Sequence, residues 1–360
     1  MTSPMLIMGM GAVTAVGLNA IQTCAAIRAR ISGFRTAVPL PAPWESIIGA
    51  SVPVSRTLKR PSRHWLLSLA GRAARECMPD SMDENETPIL LLIVPDASRS
   101  HPDLRDLSHH DVIERIQRSV RRRLDPWSTV LEGGAASGLA AISLAGELLA
   151  RKGGGCCVVV GVDSMLNRGD LARLAVADRL HAEGQPQGVI PGEGAAAVLL
   201  FSRARPRLSA RAMILGTGVS QEADSDTATG SRYSTGTALR AALESAATDA
   251  NCPEQALSFR ISDMNGERYH ALESMMASAR FYRSRRERLI AWYPAASVGD
   301  IGAAAGVLSL VVAARAIERG YAPGPLAVCE ASSDFSLRAA SILGSAPGAP
   351  SPPFRSIEVA

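Results

Sequence analysis

Aromatic residues are scarce in this sequence, since Phe, Trp and Tyr together make up 4% of its 360 residues. This scarcity argues against an aromatic binding groove and predicts a core of aliphatic side chains. Strong charge is lacking as well: the net charge is +4, and no basic stripe alternates with aromatic residues, so we expect no nucleic-acid partner. With 47% hydrophobic and 20% charged residues, the composition is that of a globular protein.

The cysteines and glycines do not form a metal-binding or nucleotide-binding motif. Cys156 and Cys157 are adjacent inside an apolar run, and the other four cysteines are scattered without C-x₂-C spacing. Gly9 and Gly11 follow an apolar run, but Thr14 stands where a dinucleotide-binding motif has its third glycine. We therefore expect no metal, no cofactor and reduced thiols.

Long hydrophobic runs are also missing. The N-terminus lacks the basic segment of a signal peptide, and the most apolar stretch, 303–314, is too short to span a bilayer. The sequence thus predicts a cytoplasmic protein without a membrane span. The six histidines lie in polar surroundings, and we interpret all of them as surface residues.

Short apolar runs alternate with helical patterns along the chain, which predicts an α/β fold with a largely parallel sheet. The predicted strands are 5–8, 89–94, 157–162, 195–201, 212–215, 259–262, 288–291 and 326–329. The predicted helices are 19–29, 63–76, 111–123, 136–151, 235–250, 269–283 and 303–319.

Two segments recur in the same order, which indicates a duplicated unit. The segment 5–14 is similar to 212–220, and the segment 136–153 is similar to 304–320. The spacing implies extra residues in the first half, where we place the polar stretch 98–110. We predict a first half at 1–205, a second half at 206–345 and a flexible tail at 346–360.

Several motifs occur in an order that resembles the β-ketoacyl synthases of the thiolase superfamily. The opening MLIMGMGAVTAVGLNAIQTCAAIRARISGF is similar to the start of those enzymes. GVDSMLNRGDLARL and PGEGAAAVLL resemble their central strand pair, and VGDIGAAAGVLSL resembles their second catalytic helix. The resemblance spans roughly 5–343. It implies a thiolase-like fold of duplicated βαβαβαββ halves, stacked in five layers as α-β-α-β-α.

The positions that carry catalysis in this family hold other residues here. The nucleophilic cysteine corresponds to Ala135, and the two histidines correspond to Asn265 and Asp300. The lysine near the second histidine falls on Ala295, and the glycine-rich gating turn corresponds to 331–334, which has no glycine. Condensation needs a thiolate to hold the acyl group and imidazoles to stabilise the enolate. The resemblance therefore implies a protein without condensing activity and no catalytic residue at these positions.

Two versions of a non-catalytic role remain open. The chain could pair with an active ketosynthase, as chain-length-factor subunits do, or it could serve as an accessory protein of a bacterial secretion-effector system. Its partners would then be a ketosynthase-fold subunit, an acyl carrier protein or a secretion-effector protein. A module that binds acyl groups or acyl carriers without turnover is a further reading.

A divergent acyltransferase or hydrolase is the alternative. Glu132, Ser137, Glu267 and Asp334, together with the former histidine positions, could line a remodelled pocket. A carboxylate beside a serine can support acyl transfer or hydrolysis. The competing structural interpretation is that Ser137 packs in its helix and that Asp300 caps the helix that follows it.

By resemblance, a dimer is expected through the strand Cys156–Ser164. Its run CCVVVGV would supply an apolar edge that continues the sheet across a twofold axis, in a homodimer or a heterodimer. Val159 would lie near the centre of that interface, where a charge would be poorly tolerated.

Overall fold

The computed structural model describes residues 4–37, 47–54, 64–182, 185–205, 207–223 and 234–347. Most of the predicted tail, from 348 onward, lies outside the described residues. The strands are β1 (Met5–Val13), β2 (Arg35–Ala37), β3 (Ile47–Gly49), β4 (Ile89–Pro95), β5 (Thr129–Gly133), β6 (Cys156–Ser164), β7 (Glu193–Phe201), β8 (Ala212–Gln221), β9 (Phe259–Ser262), β10 (Ile290–Trp292), β11 (Ala327–Ser332) and β12 (Leu337–Gly344). The helices are α1 (Ala20–Arg28), α2 (Trp65–Cys77), α3 (His109–Val120), α4 (Ala135–Arg151), α5 (Arg168–Val176), α6 (Thr237–Asp249), α7 (Arg268–Phe281), α8 (Ala295–Val298) and α9 (Ala305–Glu318).

The two halves build their sheets in the same way. The first half has the strand order β5-β4-β6-β7-β1, and the second half has the order β10-β9-β11-β12-β8. The pairs β4–β5 and β4–β6 are parallel, as are β9–β10 and β9–β11, while the remaining pairs within each half are antiparallel. The predicted duplication is therefore confirmed.

Three apolar clusters separate the layers of the fold. Helices α4 and α9 contact the strands of both halves and lie between them. Helices α2 and α3 cover the outer face of the first half, and α6 and α7 cover the outer face of the second. This is the predicted five-layered arrangement. The first strands of the halves also pair for three residues each, Met5–Ile7 with Ala212–Ile214, so that ten strands form one continuous sheet.

All eight predicted strands and all seven predicted helices correspond to observed elements, but several elements were not predicted. Strand β5 carries a glutamate and ends in glycine, and β12 is rich in Ala and Ser and contains Arg338. Both were missed because their residues have modest strand propensity. The sequence predicts no strand after 326–329, which would place the turn 331–334 behind the last strand. In the structure β12 follows β11, so this turn lies in the hairpin between them. Helix α5 was missed as well.

The prediction that the strand Cys156–Ser164 offers a free edge for a dimer interface is wrong. This segment is β6, which pairs with β4 on one side and β7 on the other, and all nine of its residues are buried. A strand with two partners has no free edge for a second subunit. In the ten-stranded sheet the edge strands are β5 and β10. Val159 is fully buried, so a charge there would disrupt the core of the subunit and not an interface.

The predicted location of the extra residues in the first half is only partly correct. Among the described residues, α1 and the strand pair β2–β3 lie between β1 and α2 and have no counterpart between β8 and α6. The stretch 98–110 instead connects β4 to α3. No helix within the described ranges is long and apolar enough to cross a membrane.

The two central helices cross at a pair of glycines, which are equivalent in the two halves. A Cβ atom on Gly306 would lie 2.4 Å from the Ala135 carbonyl oxygen, and one on Gly138 would lie 2.8 Å from a Val307 methyl group. Contacts this short leave no room for a side chain. Glycine at these positions therefore sets how closely the starts of α4 and α9 approach, and both helix starts border the candidate site.

We expect Gly306→Ala to lower the free energy of unfolding by about 1–3 kcal/mol, because the added methyl group overpacks a backbone contact. Gly146→Ala, on α4, is the control: its methyl group would meet only the end of the flexible Met5 side chain, at 3.4 Å. It should be neutral or stabilising by up to about 1 kcal/mol, from helix propensity. Urea unfolding measures both variants, and equal stability of the two would contradict this account of the crossing.

Candidate functional site

Three residues that correspond to the catalytic positions of the resembled family line one pocket. Ala135 is the first residue of α4, directly after β5 and its Gly133-Gly134 turn. Asn265 follows β9, and Asp300 lies between α8 and α9. Both halves contribute, because the site lies where the ends of parallel strands meet the two central helices. The sequence therefore predicted which of these residues come together.

Asn265 and Asp300 are joined by a hydrogen bond. The amide nitrogen of Asn265 donates to Asp300 Oδ2 at 2.8 Å and to Glu267 Oε2 at 2.9 Å. Asp300 Oδ1 accepts from the backbone N–H of Gly302 at 2.8 Å, so Asp300 holds the short turn before α9, whereas the N-cap position of α9 itself is Ala304. Burial raises the pKa of Asp300, although both hydrogen bonds oppose the rise. Asn265 and Asp300 are therefore held to each other and to the turn before α9.

The N-terminus of α4 is capped by a serine hydroxyl. The backbone N–H of Ala136 donates to Ser333 Oγ at 3.1 Å, and Gly134 is the N-cap residue. Free N–H groups at a helix start attract anions and lower the pKa of a thiol placed there. Here the side chain at that position is a methyl group, and a hydroxyl from the β11–β12 hairpin already takes the neighbouring N–H.

Arg179 binds two carboxylates at once. Its guanidinium donates to Glu267 at 2.6 and 2.8 Å and to Asp334 at 2.8 and 3.0 Å. Arg179 is 8% exposed, and it lies in the connection between α5 and β7. The planar fork of an arginine suits two bidentate contacts. Arg179 therefore links three separate segments of the chain above the pocket.

His270 adds a second positive charge to this group. Burial by itself would lower its pKa, but the hydrogen bond to Asp334 and the charges of Glu267 and Asp263 raise it to about 9. At neutral pH the ring is protonated and cannot accept a proton as a general base. The prediction that all histidines lie at the surface is wrong for His270 and for His101, which are 7% and 6% exposed.

The carboxylates and the histidine could in principle hold a metal ion. One ligand atom each from Glu267, His270 and Asp334 lie within 4.8 Å of one another. The guanidinium of Arg179, however, contacts both carboxylates, so it occupies the position that a cation would take. The residues do not fit a metal ion while Arg179 remains in place.

A second buried ion-pair group borders the pocket. Arg99 donates to Asp163 at 2.7 Å and to Asp170 at 2.6 and 2.8 Å. Asp163 is fully buried and also accepts from the backbone N–H of Ala303 at 2.9 Å. Gly302 has a φ of +45°, and a Cβ atom there would lie 2.0 Å from Asp163 Oδ2. This group holds the start of α9 against β6.

The pocket between these groups is narrow. Its cavity is about 50 Å³, whereas ligand pockets usually measure about 300–1,000 Å³. That space suits a few water molecules and not an acyl chain. Ten of its sixteen lining residues are polar or charged; the lining comprises Asp96, Arg99, Gly133, Gly134, Ala135, Asp163, Met165, Arg173, Asp263, Asn265, His270, Asp300, Gly302, Ser332, Asp334 and Phe335.

Of the four further candidate residues from the sequence, two lie at or beside the pocket and two do not line it. Asp334 lines the pocket, and Glu267 binds Arg179 beside it. Glu132 is exposed and lies 3.6 Å from His109, and Ser137 packs against Gly133 on the first turn of α4. Neither lines the pocket.

No sequence pattern marked Arg179, His270, Arg99 or Asp163 as site residues. One usable signal was the i, i+3 spacing of Glu267 and His270 at the start of a predicted helix. Ala295, at the lysine position, is the first residue of α8.

Several solved structures that are similar to this one are ketosynthases. The chain aligns with "the ishigamide ketosynthase/chain length factor" at a TM-score of 0.78 and 18% identity, over 96% of this chain and 100% of the other. A β-ketoacyl synthase from Burkholderia phymatum gives a TM-score of 0.76 and 18% identity over the same shares. The ketosynthase of a type II polyketide synthase, solved with its acyl carrier protein, gives 0.79 and 13%, over 96% and 100%. The sequence itself matches no family model and no curated protein. The chain therefore has the thiolase-like fold of the ketosynthases.

We expect Arg179→Ala to lower the free energy of unfolding by about 3–5 kcal/mol, because two carboxylates would lose their buried partner. Arg118→Ala is the control, since Arg118 and Glu114 form an exposed i, i+4 pair on α3. That change should cost less than about 1 kcal/mol. Chemical denaturation measures the free energy of unfolding of both variants. An equally small loss of unfolding free energy in Arg179→Ala would show that the ion pairs of Arg179 do not stabilise the site.

The raised pKa of His270 predicts a pH-dependent contribution to stability. The folded-state pKa is about 9, whereas the ordinary pKa of histidine is 6.5, so the contribution is complete below about pH 6.5 and is lost as the pH rises through about 9. Wild type should exceed His270→Gln in unfolding free energy at about pH 6, and the difference should shrink at about pH 10. A difference that stays constant over this range would contradict a charged His270.

Proposed function

We propose that this chain is a non-catalytic ketosynthase-fold subunit that acts as a partner or scaffold. The observation that carries the proposal is the hydrogen bond between Asn265 and Asp300, at the two histidine positions, beside a methyl group at the nucleophile position. These side chains bind each other and leave no group to hold or activate an acyl thioester.

The chemistry around Ala135 supports the same conclusion. The neighbouring N–H of Ala136 is occupied by Ser333, so it is not free for an oxyanion. Asp300 would place a carboxylate where the family has an imidazole, which is the wrong polarity for stabilising an enolate. His270 is protonated at neutral pH and does not replace the missing base.

A ketosynthase-fold subunit is the partner that the comparisons support best. One similar structure is titled a ketosynthase/chain length factor, and another contains an acyl carrier protein. We therefore favour pairing with an active ketosynthase in the cytoplasm, in a heterodimer or a homodimer, over service in a secretion-effector system. The free strand edge at β5 or β10, and not β6, would carry such a contact. The halves 1–205 and 206–345 would act together as one subunit.

A divergent acyltransferase or hydrolase is the second candidate function. The observation in its favour is Asp263, which lines the pocket and whose pKa burial raises to about 7. A carboxyl group that titrates near neutral pH can act as a general acid or base. None of the described residues that line the pocket is a cysteine, however, and the cavity of about 50 Å³ gives no room for an acyl chain.

We expect no covalent acyl adduct when the protein is incubated with acyl-carrier or coenzyme-A thioesters. Ala135→Cys should also remain unacylated in the pocket, because the cavity is too small for the substrate. Intact mass spectrometry after denaturation measures acylation, and peptide mapping assigns it. Of the six native cysteines, five are buried, and only Cys252 is partly exposed as a background site.

The triple variant Ala135→Cys, Asn265→His and Asp300→His is the companion test. It should condense a malonyl donor with an acyl primer slowly or not at all, because Ala295 and the turn 331–334 still lack the family's residues. An active ketosynthase assayed in parallel is the positive control. A stoichiometric adduct on the wild type would refute the non-catalytic proposal and favour the acyltransferase. Robust condensation by the triple variant would instead show that the pocket retains its catalytic shape.

A further inference from the structure

A groove separate from the candidate site lies between α1 and the C-terminal end of α9. Its volume is about 380 Å³, within the range of about 300–1,000 Å³ that binding clefts span. Helix α9 begins beside the candidate pocket and is 14 residues long, so its far end lies about 20 Å from that pocket. The groove and the pocket share no lining residue.

The floor of the groove is apolar, and its rim exposes an isoleucine. Cys24 is buried against α9, where its thiol lies 3.9 Å from the carbonyl oxygen of Val311. Ile21 is 59% exposed one turn earlier on α1, and Ala25 is exposed beside it. An isolated surface isoleucine is ordinary, but one that adjoins an apolar floor enlarges the apolar surface that a partner can cover.

Three arginines surround this apolar floor. Arg28 is the last residue of α1, Arg315 lies in the last turn of α9, and Arg319 directly follows α9. The guanidinium of Arg28 lies 4.3 Å from the centre of the Tyr321 ring, which also lines the groove. Among the described residues, neither Arg28 nor Arg319 has an ion pair. Like charges one helical turn apart repel each other, so an anion in the groove would relieve an unfavourable interaction.

The acidic side chains of the chain itself do not neutralise these arginines. Glu76 and Glu318 are the carboxylates whose charge reaches the Cys24 thiol. Glu76 accepts two backbone N–H groups, one with each oxygen. Glu318 binds Arg211 with one oxygen and Arg315 with the other. The other two arginines of the groove therefore remain available to an anion from outside.

The lining of the groove favours an acidic peptide over a nucleotide. Tyr321 is the one aromatic residue of the lining, and its ring already contacts Arg28 and stacks on Trp292 at a centroid distance of 6.3 Å. It therefore offers no platform on which a base could stack. Arginines around an apolar floor instead match a peptide that carries acidic side chains beside an apolar one.

From these features we infer that the α1–α9 groove binds an acidic peptide segment of a partner protein. An apolar side chain of the segment lies against Ile21 and the floor at Cys24, and its carboxylates bind Arg28 and Arg319. This groove is independent of the proposed ketosynthase partner, because it lies at the far end of α9 from the pocket at Ala135.

The test is calorimetric titration of the full chain with a short synthetic peptide of glutamate and leucine, in which the leucines have helical spacing. This peptide should bind saturably, with a dissociation constant below about 1 mM. The same peptide with glutamine in place of glutamate should bind at least about tenfold more weakly, because it carries no charge for the arginines. Alanine in place of leucine should also weaken binding about tenfold, because it removes the apolar contact.

Arg28→Glu reverses one charge of the groove and should weaken binding of the glutamate–leucine peptide at least about tenfold. Arg151→Glu is the matched control, because Arg151 is likewise the exposed last residue of a helix, α4, and does not line the groove. The control should bind the peptide as the wild type does. Circular dichroism of the two variants checks that both are folded.

Three results would overturn the inference: no saturable binding of the glutamate–leucine peptide up to roughly 1 mM, equal binding of the glutamine peptide, or the same effect of Arg28→Glu and Arg151→Glu. Displacement of the peptide by an equal concentration of inorganic pyrophosphate would overturn it too, in favour of a site for small anions.

Discussion

The candidate site depends on the double ion pair of Arg179. One buried guanidinium holds Glu267, at the start of α7, and Asp334, in the β11–β12 hairpin. Two carboxylates this close would repel each other without a cation, and burial would favour their protonation. Arg179 and His270 instead lower the pKa of Asp334 well below its usual range, against the effect of burial. Their combined charge holds three segments of the chain together beside the pocket at Ala135.

Buried ion pairs also lie along the side of α7 that faces the sheet. Arg338, on β12, donates to Glu273 at 2.8 Å, and Arg260 binds Glu330 next to Ser274. A helix whose sheet-facing side carries charged groups is stable only if each group finds a partner. Strands from the second half supply those partners. The outer helix is therefore held to its sheet by ion pairs as well as by the apolar cluster around Phe281.

The fold defines where the pocket lies. The buried helices α4 and α9, and the glycines at which they cross, set the geometry that brings Ala135 and Asp300 into one pocket. Within this pocket Asn265 and Asp300 bind each other. A serine hydroxyl caps the start of α4, and buried ion pairs border the narrow cavity.

The sequence by itself predicted the duplicated α/β fold and identified Ala135, Asn265 and Asp300 as residues of one site. Long apolar strands and the repeated segments depend on local pattern, which composition and order reveal directly. It could not show that β6 is an interior strand, or that His270 is buried and charged. Both facts depend on partners distant in the chain, such as β4 for β6, and Asp334 for His270. Only the tertiary structure decided them, because burial and pKa are set by what surrounds a residue in space.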